Sequence, residues 1–212
     1  MLKFRRQRGD TMIEVLFAIT IFSMVAVGGL TIMNQGAASA QRSLEITLAR
    51  QEIDAQAEAL RMMYDEAIAE KSTSGYGGSG AATTRWQAVL NKRVASVTPF
   101  SEMTDSDGVR CRLPSEITGA FVVNARTGVI DEAPIGFAAQ PSIYSRIVYQ
   151  SPSDGDAIRF AEGIWIEAEQ GGSSVAGVPG YTDFHIRACW STIGQSTPVT
   201  IGTIVRLHEP SL

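Results

Sequence analysis

At 212 residues the chain has room for one sizeable core and an appendage, and its 44% hydrophobic and 19% charged content are ordinary for a folded domain. Lys3, Arg5, Arg6 and Arg8 lie in the first nine residues with no acid among them; setting those four of the 18 basic residues aside leaves 14 against 22 acids, a formal charge of −8 on the rest. A basic tip on an acidic body speaks for membrane topology and against nucleic-acid binding, because phosphate backbones repel such a body.

From Met12 to Met33 the chain reads MIEVLFAITIFSMVAVGGLTIM, with one ionisable residue, Glu14. Roughly 20 apolar residues suffice to cross a bilayer. The basic residues before the run place residues 1–9 in the cytoplasm and the body outside. Three readings compete. One is a plain signal anchor. Another is a secretory signal peptide cut near Ala40 in Ala38-Ser39-Ala40, releasing a secreted or tethered ligand-binding or adhesin domain, although the run exceeds the usual apolar region of roughly 7–15 residues. The third gives Glu14 a use. A carboxylate in lipid is costly and normally has a partner. Cleavage after Gly9 creates an α-amino group on Asp10, four residues before Glu14, and residues four apart share a helical face.

Gly9, Asp10, Thr11, Met12, Ile13, Glu14, Val15 and Leu16 resemble the type IV prepilin processing motif. In that family a dedicated membrane peptidase cuts a basic leader after its final Gly and N-methylates the new terminus. The fifth mature residue is Glu, followed by an apolar helix. The resemblance implies that Gly9 and Asp10 form the processing site. It also implies that Glu14 pairs with the amine of an adjacent subunit during assembly. One position departs from the pattern: Asp10 stands where Phe is usual, and its own carboxylate competes for the amine. Variation at this position is commoner in minor pilins and pseudopilins. The implied partners are other pilin subunits, a prepilin peptidase, an inner-membrane assembly platform with its cytoplasmic ATPase, and membrane lipid. The implied filament is a type IV pilus, a type II secretion pseudopilus or a competence filament.

The helical pattern continues to about Lys71, so a helix over 10–71, transmembrane over 12–33, is on the order of 90 Å long at 1.5 Å per residue. Gly28-Gly29 weakens it inside the span. Ile46, Ile53, Leu60 and Ala67 repeat every seven residues. Ala49, Ala57, Met63 and Tyr64 broaden the stripe, while Arg42, Glu45, Arg50, Glu52, Asp54, Glu58, Arg61 and Asp65 read as its charged surround. Residues 72–84 form a Gly/Ser-rich loop, and Thr84 with Gln87 fits a capping box opening a short helix that carries Trp86, Leu90 and Val94.

Over the head, 85–212, strands are expected at Val109–Leu113, Ala120–Val123, Ile143–Tyr149, Ile158–Ala168, Phe184–Trp190 and Val199–Leu207. Phe184, Ile186, Ala188 and Trp190 share one face, and strict alternation predicts an antiparallel sheet with one face covered. A long helix followed by strands is an α+β layout. It matches the resemblance, which implies a long N-terminal helix packed on an antiparallel sheet head.

The chemistry-bearing residues of the head are sparse. Cys111 and Cys189 form either one disulfide, as exported domains do, or two buried thiols. Alternation puts Cys189 opposite the Phe184–Trp190 face. His185 lies four residues before Cys189, roughly 13 Å along a strand, too far for a nucleophile pair. With His208, the count of two His and two Cys suits zinc, yet no ligand spacing supports it. Asp105, Asp107, Asp154 and Asp156 read as Asp-Gly turns more readily than calcium loops. Trp165 reads as packing or a subunit contact, and Arg187 with Arg206 falls short of a nucleic-acid patch. The expected protein is a structural subunit, without enzyme activity, cofactor or metal.

Overall fold

The computed structural model describes residues 10–74, 80–112, 116–132, 141, 143–172, 180–192 and 194–208. Gly9 and the rest of the expected leader, residues 75–79 of the Gly/Ser-rich loop, and Leu113 lie outside them, as do the side chains of Asp10 and Asp154. The chain divides into two units, 1–43 and 44–212. Helix α1, Asp10–Ser74, contributes to both.

In the first unit α1 is apolar on every side from Met12 to Met33. Phe22 is 73% and Met24 80% exposed, on different faces of the helix. A helix without a polar side has no aqueous resting place. The hydroxyls of Thr20 and Thr31 donate to the carbonyls of Phe17 and Val27 at 2.8 and 2.9 Å, so both are satisfied by the helix itself. The helix runs unbroken through Gly28 and Gly29.

In the second unit α1 becomes one-sided. Ala49, Ile53, Ala57, Leu60, Met63 and Ala67 are buried in the core, as the heptad pattern predicts. Helix α2, Ala81–Leu90, follows. It begins at an N-cap on Gly80, not at the predicted capping box. Thr84 and Gln87 lie inside α2, with the Thr84 hydroxyl donating back to Gly80 O at 2.9 Å. The acceptor at the helix start comes from α1: Glu70 Oε2 receives the Thr83 N–H at 2.6 Å. That bond, with further donors at the same helix end, holds the Glu70 carboxyl below the ordinary carboxylate range. α2 buries Trp86 and Val89, and Val94 belongs to the strand beyond it.

The main sheet has the order β1-β6-β7-β8, built from Arg93–Val94, Ile164–Gly171, Tyr181–Trp190 and Val199–His208. β6, β7 and β8 are antiparallel, and the short β1 runs parallel to β6. Two small hairpins complete the described strands: β2, Val122–Asn124, with β3, Val129–Asp131; and β4, Arg146–Tyr149, with β5, Ile158–Glu162. The expected strand over Ile158–Ala168 is two strands in two different sheets. Gly163 makes the corner, at φ +62°, and a Cβ there would meet the Cys189 carbonyl oxygen at 2.3 Å. Only glycine takes that conformation at that distance without strain. The expected strand at Val109–Leu113 is absent over its described residues: Cys111 makes an isolated bridge to Thr104, and Val109 is 54% exposed. Asp105 organises a turn there instead, accepting the N–H groups of Val109 and Arg110 at 2.8 and 3.1 Å.

The α1 side of the sheet carries Phe184, Ile186, Ala188 and Trp190, all fully buried. Trp86 bridges the layers, its ring centroid 5.5 Å from Tyr64 of α1 and 5.8 Å from Phe184. The opposite face was expected to be open, yet Trp165, Glu167, Arg187 and Cys189 are buried there as well. The excursion between β1 and β2 covers them: Thr98 N–H donates to Glu167 at 2.7 Å, Phe121 pairs with Ile166 through two backbone bonds, and Cys111 joins Cys189. The result is the α+β layout of a long helix on a largely antiparallel sheet.

Candidate functional site

Two stretches of α1 carry the candidate sites, one in each unit. In the first, Asp10 opens the helix and Glu14 follows one turn later, fully within helical geometry and exposed. Residues at i and i+4 stand over one another on a helix, so an amine at residue 10 and the Glu14 carboxylate fall on one face. The helix N-terminus itself favours a carboxylate in its first turn. Beyond Glu14 no charged residue occurs until Arg42. Among the described residues of this segment, Glu14 is therefore the single charge on the apolar run.

The second stretch holds the head. Three polar side chains of α1 reach three different segments of the fold. Glu45 is 3% exposed and accepts the Trp190 indole N–H at 3.2 Å and the Thr192 hydroxyl at 2.7 Å. Gln56 is 1% exposed; its amide donates to Val123 O and accepts from Val123 N–H, both at 2.7 Å, so it completes β2 as a neighbouring strand would. Glu52 is half-buried beside β4, where desolvation pushes its carboxyl up while the Ile147 N–H partly offsets this. At the far end the Tyr64 hydroxyl donates to His208 O at 2.7 Å.

Glu45 and Glu52 were expected on the solvent side of the stripe. The burial of Glu45 corrects this, and its physical reason is its place on the helix. Positions 45, 49, 53, 56, 60, 63 and 67, three or four residues apart, lie along one face and are all buried. Extending the apolar stripe through its polar positions, one turn before Ala49 and seven residues after it, would have found Glu45 and Gln56. Nothing in the local sequence announces their partners, which lie 145, 147 and 67 residues away.

The remaining candidates separate cleanly. Cys111 and Cys189 are disulfide-bonded with Cα atoms 5.7 Å apart, which leaves Cys189 no thiol to pair with His185. His185 lies 3.8 Å from Glu169, and burial together with Arg187 holds its pKa below 6.5. Among the described residues no cluster of three or more His, Cys, Asp or Glu is arranged to hold a metal ion. Asp156 pairs with Arg126 at 2.6 Å. Trp165 is wholly buried and donates to Glu167 at 3.0 Å, so it is packing and not a contact surface. Glu167 also pairs with buried Arg187 at 3.3 Å, and Arg206 pairs with Asp183 through two bonds of 2.8 and 2.7 Å.

A family model described as the prokaryotic N-terminal methylation motif matches residues 4–30. The match spans Gly9, Asp10 and Glu14 together with most of the apolar run. Comparisons with curated proteins and with solved structures give no significant match.

Proposed function

We propose that this type IV pilin-like chain, a membrane-anchored precursor by its N-terminal methylation motif, is a structural subunit of a filament: a minor pilin or pseudopilin. The observation that carries the reading is the match over residues 4–30, in which a basic leader, Gly9 and Glu14 precede an apolar helix. The motif implies processing by a prepilin peptidase and assembly with other pilins. It points to a structural subunit and not to an enzyme.

The proposed mechanism begins with insertion. The basic leader stays on the cytoplasmic side and the apolar half of α1 occupies the bilayer. The peptidase cuts after Gly9 and leaves a positively charged amine, methylated or not, on Asp10. Glu14 then has a counter-charge in a medium where an isolated carboxylate costs on the order of a few kcal/mol at the bilayer centre and less near an interface. Its own amine lies one turn away on the same face, and pairing with the amine of a neighbouring subunit engages Glu14 between chains once subunits lie side by side, so that a single carboxylate sets their axial register. The uniformly apolar helix supplies the lateral contact area. Asp10 in place of the usual Phe, together with the length of the head, favours a minor component over the bulk subunit, because this position varies more in minor pilins and pseudopilins.

The test is Glu14→Ala in the full chain, expressed beside the wild type. Cleavage after Gly9 is expected to proceed, since the cut lies five residues upstream, while recovery of the subunit in sheared filaments falls sharply. Unchanged recovery in filaments would remove the role of Glu14.

A further inference from the structure

We propose that the Cys111–Cys189 bridge is closed last, after the segment covering the sheet has docked, and that it is made through Cys111 by exchange with a small external disulfide entering the cavity beside it. Oxidising compartments are where such bridges form and persist, so the step rests on the export of the head that the filament reading includes.

The covering segment is held at both ends without the bridge. At one end a buried ion pair clasps Thr98. Its N–H donates to Glu167 at 2.7 Å and its carbonyl accepts from the Arg187 guanidinium. Glu167 and Arg187 themselves stand 3.3 Å apart. At the other end Phe121 exchanges two backbone bonds with Ile166, of 3.0 and 2.7 Å. Cys111 lies 13 residues after Thr98 and 10 before Phe121. Met103 and Ile117, on either side of it in the chain, are buried as well. The cost of closing a loop rises with its length. With both ends held, joining Cys111 to the sheet closes loops of those short lengths and not one set by the 78-residue separation of the cysteines. The clasps therefore bring Cys111 to Cys189 before a covalent bond is needed.

The two sulfurs are not equally reachable. Cys189 is wholly buried on β7, between β6 and β8. Its N–H donates to Gly163 O at 2.8 Å and its carbonyl accepts the Ser145 hydroxyl at 3.2 Å. Cys111 borders a cavity of about 560 Å³, a volume that suits a small molecule. Arg110 and Arg112 line this cavity against Glu102, Asp105 and Glu116, so its charges nearly balance. Sulfur chemistry, and not charge, selects what reacts there: a thiolate exchanges with a disulfide.

In the reduced, docked chain the Cys111 thiolate attacks one sulfur of the external disulfide. That S–S bond breaks and one thiolate leaves with the electron pair. The Cys189 thiolate then attacks the Cys111 sulfur from the interior. The mixed disulfide breaks and the second thiolate leaves into the cavity. The two cysteines together lose two electrons, the external disulfide is reduced to two thiols, and the two cysteine protons end on those thiols.

The experiment uses the full chain in lipid nanodiscs, reduced with a phosphine and then freed of it, with cystamine as the external disulfide. In the reduced wild type the Thr98 amide is expected to stay slow in hydrogen exchange. A brief pulse of cystamine, an acid quench and peptide mass spectrometry are expected to find the mixed disulfide on Cys111. Cys189→Ala and Cys111→Ala then isolate each thiol. For each variant the rate of adduct formation is divided by its own rate in urea. Cys111 is expected to keep its unfolded rate to within about tenfold, and Cys189 to react at least about a hundredfold more slowly than when unfolded. Equal protection of the two thiols, a mixed disulfide mainly on Cys189, or loss of Thr98 protection once the bridge is reduced overturns the proposal. Where a variant does not fold by near-ultraviolet circular dichroism, the wild-type pulse and the Thr98 amide decide. None of these readouts depends on cleavage after Gly9 or on Glu14, so failure here is separate from failure of the filament reading.

Discussion

The two parts of α1 are one helix written for two solvents. From Met12 to Met33 the side chains are apolar on every side, and the polar exceptions are a carboxylate in the first turns, Ser23, and the Thr20 and Thr31 hydroxyls bonded to their own backbone. From Leu44 to Ser74 the buried residues follow one stripe, and Glu45 and Gln56 within that stripe are bonded to distant parts of the head. The difference shows where specificity resides. Apolar contact in the first part is undirected and can be made to any similar helix. In the second part Glu45, Gln56 and Tyr64 fix the helix against the head at three points. In the first part Glu14 alone can direct an arrangement, and its complement is absent from the unprocessed apolar run.

That contrast can be broken by unfolding experiments on the full chain. The largest expected effect comes from reducing the Cys111–Cys189 disulfide, which closes a loop with a sequence separation of 78. Loop-closure entropy for such a length gives a loss of roughly 4–5 kcal/mol in head stability. Denaturant unfolding with and without reductant measures it, and the helicity of the apolar half in micelles should not follow. Next, Leu60→Ala empties a fully buried position and should cost about 2–5 kcal/mol, whereas Leu30→Ala, at a residue 61% exposed, should leave head unfolding unchanged. An equal effect of the two would mean that the two parts of α1 are not separate in energy.

Smaller effects sharpen the account. Glu45→Ala removes the acceptor of two buried donors and should cost about 1–3 kcal/mol. Glu45→Gln, which keeps one acceptor oxygen, should cost less than Glu45→Ala in the same unfolding assay. The smallest change is expected at Glu52, whose raised pKa means that the folded state holds its proton more tightly than the unfolded chain. Its contribution is therefore favourable below the ordinary value of 4.5 and is lost as pH rises through the folded value. Glu52→Gln should stabilise the head at neutral pH by about a few tenths of a kcal/mol, after allowance for solvent screening. It should also flatten the stability profile just above pH 4.5. Asp183 acts in the opposite sense. The Arg206 guanidinium holds its carboxyl below 3.8, so its contribution is present above that pH and fades only in stronger acid.

Much of this was legible from local pattern. The apolar run and the stripe of α1 follow from periodicity, and β7 and β8 from alternation of residues such as Phe184, Ile186, Ala188 and Trp190. The misreadings share a cause: they depended on residues far away in sequence. Gly163 breaks a strand-like run because Cys189 O lies where its side chain would be. Thr84 is displaced as a cap because Glu70 of another helix supplies the acceptor. Arg187 and Cys189 are buried on a face that alternation assigns to solvent, because a segment with little regular structure of its own is fastened over them. At the N-terminus, by contrast, the whole signal is local: a short leader, one glycine and one glutamate at fixed spacing.

The central claim is that Glu14 acts through an amine that is absent until the leader is removed. Determining the N-terminal residue of the mature chain recovered from filaments tests this most directly. The account predicts a chain beginning at Asp10, with or without a methyl group. Filament-borne molecules that still begin at Met1, or mature molecules beginning at Gln41, would contradict it.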